Sequence, residues 1–577
     1  MDDKSFAVLT ALKKQFSEKT EPLKFTGKRK VESDTNIRIK PKAKVLSVEV
    51  PVSKVVPKQA DEKSVAKKNN KHKRTNTKIK KQPKTGPKHV KATTQPPITL
   101  ISDLKLTDKS LGRQVKPSNL FMANDCFKPK FDAKHSFSMP EWVGLGKLLQ
   151  HPEYGERASR PIQVRIGIDF GTAFTKVAVK VGNDKFAIDW SALTGKTDTN
   201  ARFLVPGIIA KTTAGEYCWH DFATNTLLTN FKLPLLTAEN HSICPVSTIA
   251  YLALVIRYTR AALYRHADYG RILAQRNIRW ELNIGCATEP FDNAPIVDRI
   301  RKVGLTAWFL ATSNSLSDQD IETAWCQSLE LDGLEAPPEV TPEFIAQIAG
   351  YLTSPQLHEG LHVLVDIGAA TLDVASFNVV KNQEIDIPIF CSSVTNLGTH
   401  FLQLYRHVQL GLEPCWDDSL PIKNANTFAH EKQLSGLSVS EADKAFGQQV
   451  IQIISQVILN TKRSGKAVPN SDEWHDGLPL FITGGGAAID LYKQAMHGVE
   501  LVFRKNNPLL DRFRFIPYQS DIASNLKDKQ QFDGRLTVAF GLTEDAASIA
   551  RIRPPSKVHA FERRDLSLPG HEEIYPK

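Results

Sequence analysis

Between Val164 and Val181 apolar residues take alternate positions on either side of a short break. Ile166 and Ile168 lie before it and Val177, Val179 and Val181 after it, a period of two that predicts two strands joined as a hairpin. The pattern returns about two hundred residues later, from Leu361 to Phe377: apolar strand, Asp366, a turn at Gly368, Ala369 and Ala370, then Thr371, Asp373 and a second apolar strand. A third apolar run, Leu478–Thr483, meets Gly484, Gly485 and Gly486 and passes into a helical pattern. Thr341–Leu352 reads as a helix, with Thr341 as N-cap and Pro342 at the first helical position. Ala346, Ala349 and Gly350 keep one of its faces slim, so a second small-residue helix, Val538–Leu542, is expected to cross it closely. Near the start, Val8, Leu12 and Phe16 fit a short amphipathic helix over residues 5–16, either a fraying end or a docking helix.

From about residue 20 to 100 the periodicity vanishes and cations accumulate. Of the 75 Lys+Arg and 62 Asp+Glu, 34 and 14 lie in the first 150 residues, a net +20 that leaves −7 on the remainder. Apolar residues are too sparse there to offset the entropy of ordering, so 1–117 is expected to be a largely disordered basic arm. Such an arm attracts nucleic acid or another polyanion without sequence specificity, or serves as a solubilising tether. Residues 118–160, with Phe121, Phe127, Phe131, Phe137, Trp142 and Tyr154, read as an aromatic strap. The body divides into lobes at 161–355 and 356–550, and 551–577 is a polar tail. No run of 18 apolar residues suggests a membrane-spanning helix. The seven cysteines are scattered without a CxxC pair, which fits a reducing cytoplasm.

The hairpin tips carry the candidate chemistry. Asp169, Gly171, Thr172 and Ala173 put one carboxylate beside a tight turn whose backbone N–H groups suit phosphate oxygens. A strand-end carboxylate suits a hydrated magnesium ion, and Lys176 is within reach of phosphates. One such hairpin is as readily structural. Its repetition around Asp366 suggests two aspartates facing one Mg-phosphate group. Gly484–Gly486 before a helix allow close approach of a flat ligand. Glu343 either complements its helix dipole or orients water in the cleft. Thr194-Gly195-Lys196-Thr197 imitates the end of a P-loop, but Trp190 stands where the first glycine is required.

In this order the motifs resemble the nucleotide-binding domain of DnaK-type heat-shock chaperones and the wider actin-like ATPase superfamily. The first hairpin resembles the phosphate-1 pattern, Val365–Ala375 phosphate-2, and Phe481–Ile489 the adenosine motif. Thr341–Leu352 and Arg535–Thr543 resemble the two connecting helices, and Trp280–Pro290 a strand and loop of the chaperones. The resemblance spans about residues 161–550. It implies an α/β, two-lobed actin-like (RNase H-like) fold with mixed sheets flanked by helices, and ATP or ADP with Mg2+ as ligands.

Carried over by motif, Asp169 and Asp366 would organise magnesium through water, and Glu343 with Asp366 would position the attacking water. Gly171, Thr172, Ala173, Gly368, Ala369, Ala370 and Thr371 would bind phosphate, with Asp373 in support, and Gly484, Gly485 and Gly486 would flank adenosine. Lys176 stands where actins and plasmid-segregating relatives carry a phosphate-binding lysine, and Lys232 is a weaker candidate for the chaperones' equivalent. Ala369 and Ala370 replace two phosphate-2 glycines, which favours ATP binding over fast turnover. The expected function is a nucleotide-gated switch or partner-binding module with slow hydrolysis; the alternative is an ATP-dependent actin-like filament protein, and self-association is left open.

Overall fold

The computed structural model describes residues 137–155, 159–198, 201–220, 222, 224–236, 243–412, 423–467, 472–506, 510–518 and 534–560. The helix expected over 5–16, the basic arm and the strap residues Phe121, Phe127 and Phe131 lie outside them.

Fifteen strands are described. β1 Ser159–Phe170, β2 Phe174–Val181 and β3 Asp184–Ala187 form an antiparallel meander. The short β4 Val205–Pro206 pairs with β2. β5 Ile208–Lys211, β6 Tyr217–Cys218 and β7 Thr226–Thr229 form a small separate sheet. β8 Arg276–Cys286 and β9 Glu339–Pro342 then extend the meander in parallel, giving the order β3-β2-β1-β8-β9. β10 Gly360–Ile367, β11 Leu372–Lys381 and β12 Ile385–Thr395 repeat the antiparallel meander, and β13 Leu478–Thr483 and β14 Phe515–Tyr518 repeat the parallel extension. β15 Arg551–Arg553 caps β12, so the second sheet runs β14-β13-β10-β11-β12-β15. The two large sheets therefore share one topology, and the fold is α/β with mixed sheets flanked by helices.

The helices that matter here are α1 Val246–Tyr264, α2 Thr288–Phe291, α3 Ala294–Leu310, α4 Glu343–Leu352, α5 Thr399–Gln409, α6 Gly436–Arg463, α7 Asp490–Asn506 and α8 Thr537–Gly541. α1 and α3 cover the first sheet, and side chains of α6 and α7 join the core of the second. By length and composition α1 alone, among the described residues, is apolar enough to cross a membrane, a signal that an 18-residue apolar criterion misses. Its side chains pack in the first core, where Tyr251, Tyr258 and Arg260 are fully buried.

The chain crosses between the sheets twice. α4 leaves the first sheet through β9, but Phe344, Ile345 and Ile348 pack under the second sheet with Leu364, Phe377 and Phe481. α8 follows the second sheet's strands β10–β14, yet Ala539 and Phe540 pack with Ala178 and Ala187 of the first. Where the two helices cross, a Cβ on Gly541 would collide with the Ala346 carbonyl oxygen. Only a glycine permits that approach, as the slim face of α4 predicts.

The start of α4 differs from the sequence expectation. Thr341 and Pro342 belong to β9, and the helix begins at Glu343 with Pro342 as its N-cap. Parallel pairing with Gly285 and Cys286 claims these two residues, and the Thr341 hydroxyl donates to Asn283 Oδ1 at 3.1 Å instead of capping.

Before β1, residues 137–155 lie against the first sheet's helices. A Cβ on Gly146 would strike the Arg257 backbone, Trp142 tilts against Tyr258, and the Trp280 indole donates to Leu149 O at 2.7 Å.

Candidate functional site

The tips of hairpins β1–β2 and β10–β11 are built alike. Asp169, Gly171 and Ala173 of the first correspond to Asp366, Gly368 and Ala370 of the second. Each tip is backed by a glycine from elsewhere in the chain. Gly207 N donates to Ala173 O at 2.8 Å, and Gly398 N donates to Ala370 O at 3.0 Å. A side chain on Gly207 would press on Thr172 O, and one on Gly398 on the Ala369–Ala370 backbone. These buttressing glycines carry no motif, and sequence reading missed them.

The tips differ in how tightly they turn. A Cβ on Gly171 would collide with Phe174 O, whereas one on Gly368 would sit 3.2 Å from Thr371 O. The second turn closes by Gly368 N donating to Thr371 O at 2.9 Å, and His400 N donates to Ala369 O at 2.7 Å. Neither Ala369 nor Ala370 needs a positive φ, so alanine fits a turn where the resemblance puts glycine.

The glycine run at the end of β13 docks on the second tip. Gly484 has φ +80°, and a Cβ there would meet Asp366 Oδ1 and Ile367 O. Gly486 is wedged on Ile367 and Thr399. Gly485 faces open space. Thr483 Oγ1 lies 3.1 Å from Asp366 Oδ1.

The acids of the two tips lie within electrostatic reach of one another and of Glu343 in the first turn of α4. Lys176, the cross-strand partner of Asp169, donates to Asp169 Oδ2 at 2.7 Å. The buried Lys232 donates to Glu343 Oε1 at 2.6 Å. Burial alone would lower the Lys232 ammonium's pKa, but attraction to and hydrogen bonding with Glu343, with Asp169 behind, carry it above the ordinary value. Sequence reading ranked Lys232 below Lys176, because a lone Asn-Phe-Lys-Leu has no spacing that ties it to a site.

The second tip carries an acid, Asp373, where the first carries Lys176, because Asp373 pairs across the strands with Asp366. Withdrawal from solvent, then repulsion from Glu343 and Asp169, pushes Asp366 up to about 6 against the pull of Lys176 and Lys232. Burial, then Asp366 and Glu343, pushes Asp373 up to about 7 even though Thr288 donates to it. Asp373 Oδ1 is buried without a hydrogen-bond partner. Four carboxylates thus face two ammonium groups, and the excess negative charge is relieved by protonation or by a cation. Among the described residues no group of three or more His, Cys, Asp or Glu forms a metal cage.

Every residue singled out at the two tips, at Glu343 and at Gly484–Gly486 belongs to this one region or docks on it. Thr288 and Glu289, which follow β8 inside the Trp280–Pro290 segment, were given no role by sequence reading. Thr288 N and Oγ1 donate to Asp373 Oδ2 at 2.8 and 2.9 Å, and Glu289 Oε2 accepts from Val394 N at 2.7 Å. Burial, and repulsion from Asp373, pushes Glu289 up to about 8.

No family model matches the chain, and no curated protein is similar to it. Among solved structures, the apo pSK41 ParM protein is similar over 68% of this chain and 97% of its own, at 11% identity and a TM-score of 0.32. A likeness at that level carries no argument about this chain, and the site stands on its own geometry.

Proposed function

We propose that the chain is a nucleotide-gated switch of the actin-like kind that binds ATP with magnesium between its two large sheets and hydrolyses it slowly. The observation that supports it is that Asp366 lies within electrostatic reach of the equivalent hairpin acid Asp169 and of Glu343, beside two lysines already paired to acids at 2.7 and 2.6 Å. Asp169 and Asp366 would hold the metal through its water shell. Backbone N–H groups of Gly171–Ala173 and Gly368–Thr371 would take phosphate oxygens, and Gly484–Gly486 would border the nucleoside. A bound magnesium ion neutralises phosphate charge.

The remaining work falls to the protein's own groups. Lys176 and Lys232 supply positive charge where phosphate would sit. Glu343, fixed by Lys232, accepts a proton from water or orients it, with Asp366 beside it. Catalysis by positioning and charge needs little else. The crossing of α4 and α8 is the natural pivot, because each helix is rooted in the sheet it does not follow in sequence. A switch that closes on its ligand would suit partner binding better than metabolic turnover.

Calorimetry of the full chain with Mg-ATP, Mg-ADP and a non-hydrolysable analogue, alongside phosphate release, tests this reading. Asp169→Ala and Asp366→Ala are each expected to weaken Mg-ATP binding at least about tenfold, the loss of a charged hydrogen-bonded contact. Unchanged titrations in both variants reject the assignment. The Lys176–Asp169 pair favours a second reading, an actin-like filament protein, since resemblance places the phosphate lysine of those proteins at Lys176. ATP-dependent pelleting of the wild-type chain would select it over the switch.

A further inference from the structure

Consecutive residues of α2, in the loop that leaves the first sheet, grip neighbouring strands of the second. Thr288 donates twice to Asp373 of β11, through N at 2.8 Å and Oγ1 at 2.9 Å. Glu289 accepts the N–H of Val394 in β12 at 2.7 Å. Asp373 and Val394 are themselves cross-strand partners, so the four residues close a ring: Thr288, Asp373, Val394, Glu289. On its other side Asp373 pairs with Asp366. The grip thus lies one strand from the acid that the proposed function assigns to magnesium and water.

We propose that Thr288 and Glu289 form a positioning clamp that fixes the Asp373 strand, and through it the second hairpin tip, in register with the first sheet. The inference rests on the proposed nucleotide site for its consequence, but not for the clamp itself. Three features favour a built device over incidental packing. Both Thr288 donors converge on a single carboxylate oxygen, Oδ2, while Oδ1 stays buried and unpartnered, so the orientation of Asp373 depends on Thr288. Glu289 gives its partly buried carboxylate to a backbone N–H of the sheet, that of Val394. The two grips come from adjacent positions, so a shift of α2 releases or engages both together.

The first sheet reaches the two tips by different routes. β1 carries Asp169 directly, whereas Asp366 lies in the second sheet and is tied to the first through α4, α8 and this clamp. Moving the second sheet about the α4–α8 pivot changes the clamp's geometry at the same time as the separation of the two aspartates. Thr288 and Glu289 touch no proposed ligand and act only through Asp373 and Val394.

The experiment uses the full chain with Thr288→Val, Thr288→Ser, Glu289→Ala and Glu289→Gln. Amide hydrogen exchange over residues 391–396 is read without nucleotide, and the Kd and turnover of Mg-ATP are read separately. Thr288→Val and Glu289→Ala are expected to speed exchange and to weaken Mg-ATP binding, each about tenfold, as for a lost hydrogen bond to a charged group. Thr288→Ser and Glu289→Gln keep a hydroxyl and an acceptor and are expected to restore both readouts, which loss of packing alone would not explain. Unchanged exchange in Thr288→Val and Glu289→Ala overturns the clamp. Faster exchange with unaltered Mg-ATP affinity overturns its positioning role. If the wild-type chain binds no Mg-ATP, the proposed function fails instead, and the exchange data still decide whether the clamp exists.

Discussion

His362 shows how a single buried side chain sets a pH response. It stacks between Phe377 and Phe481, its Nε2 lies 3.0 Å from Tyr351 Oη, and its Nδ1 lies 2.9 Å from Gly360 O. Burial pulls its pKa down to about 4. The unfolded chain therefore takes up a proton near 6.5 while the folded chain refuses it, so this group's stabilisation is whole above that value and is lost as pH falls toward 4. Asp366, Asp373 and Glu289 act in the opposite sense, because their raised pKa values favour the protonated folded state. Comparing wild type with His362→Phe in thermal melts from pH 7.5 to 4.5 isolates the histidine. Wild type is expected to lose about 2–3 kcal/mol relative to the variant on acidification, and a constant difference would rule the account out. The apolar run marked this strand in the sequence. That one of its positions is a histidine in an aromatic stack follows only from what packs around it.

At the scale of elements, the crossing of α4 and α8 is the joint on which the proposed switching depends. A methyl at Gly541 has the Ala346 carbonyl in its way and no flexible side chain to displace. Gly541→Ala is therefore expected to cost about 1–3 kcal/mol of stability by chemical denaturation, the usual price of overpacking. Gly485→Ala, which faces open space, is expected to change stability by less than about 0.5 kcal/mol. Equal effects from the two would reject the close crossing. Small residues in both segments made the crossing legible in advance. The start of α4 was not, because local capping signals at Thr341 and Pro342 lost to pairing with β8, a partner more than fifty residues away in sequence. The same reason hid Gly207 and Gly398: each is an ordinary loop glycine until the fold brings it under a hairpin tip.

Over the whole molecule, charge is the strongest asymmetry. The first 150 residues carry a net +20 and the rest −7. The full chain is expected to bind DNA and anionic vesicles at about 50 mM salt and to lose much of that binding by about 200 mM, as counterion release requires. A chain beginning at Phe137 is expected to bind neither. Retention of binding without the first 136 residues would move the polyanion site onto the body. The +13 total hides this division.

The sequence by itself determined the two hairpins, the acids at their tips, the glycine run after β13 and the slim faces of the crossing helices. These are local: strand alternation, turn chemistry and residue size are written in neighbouring positions. Only the tertiary structure decided that Lys232 pairs with Glu343 and that Thr288 and Glu289 grip the second sheet. Those contacts join residues 85 to 111 positions apart, and whether a buried charge finds its partner depends on long-range packing that no local pattern records.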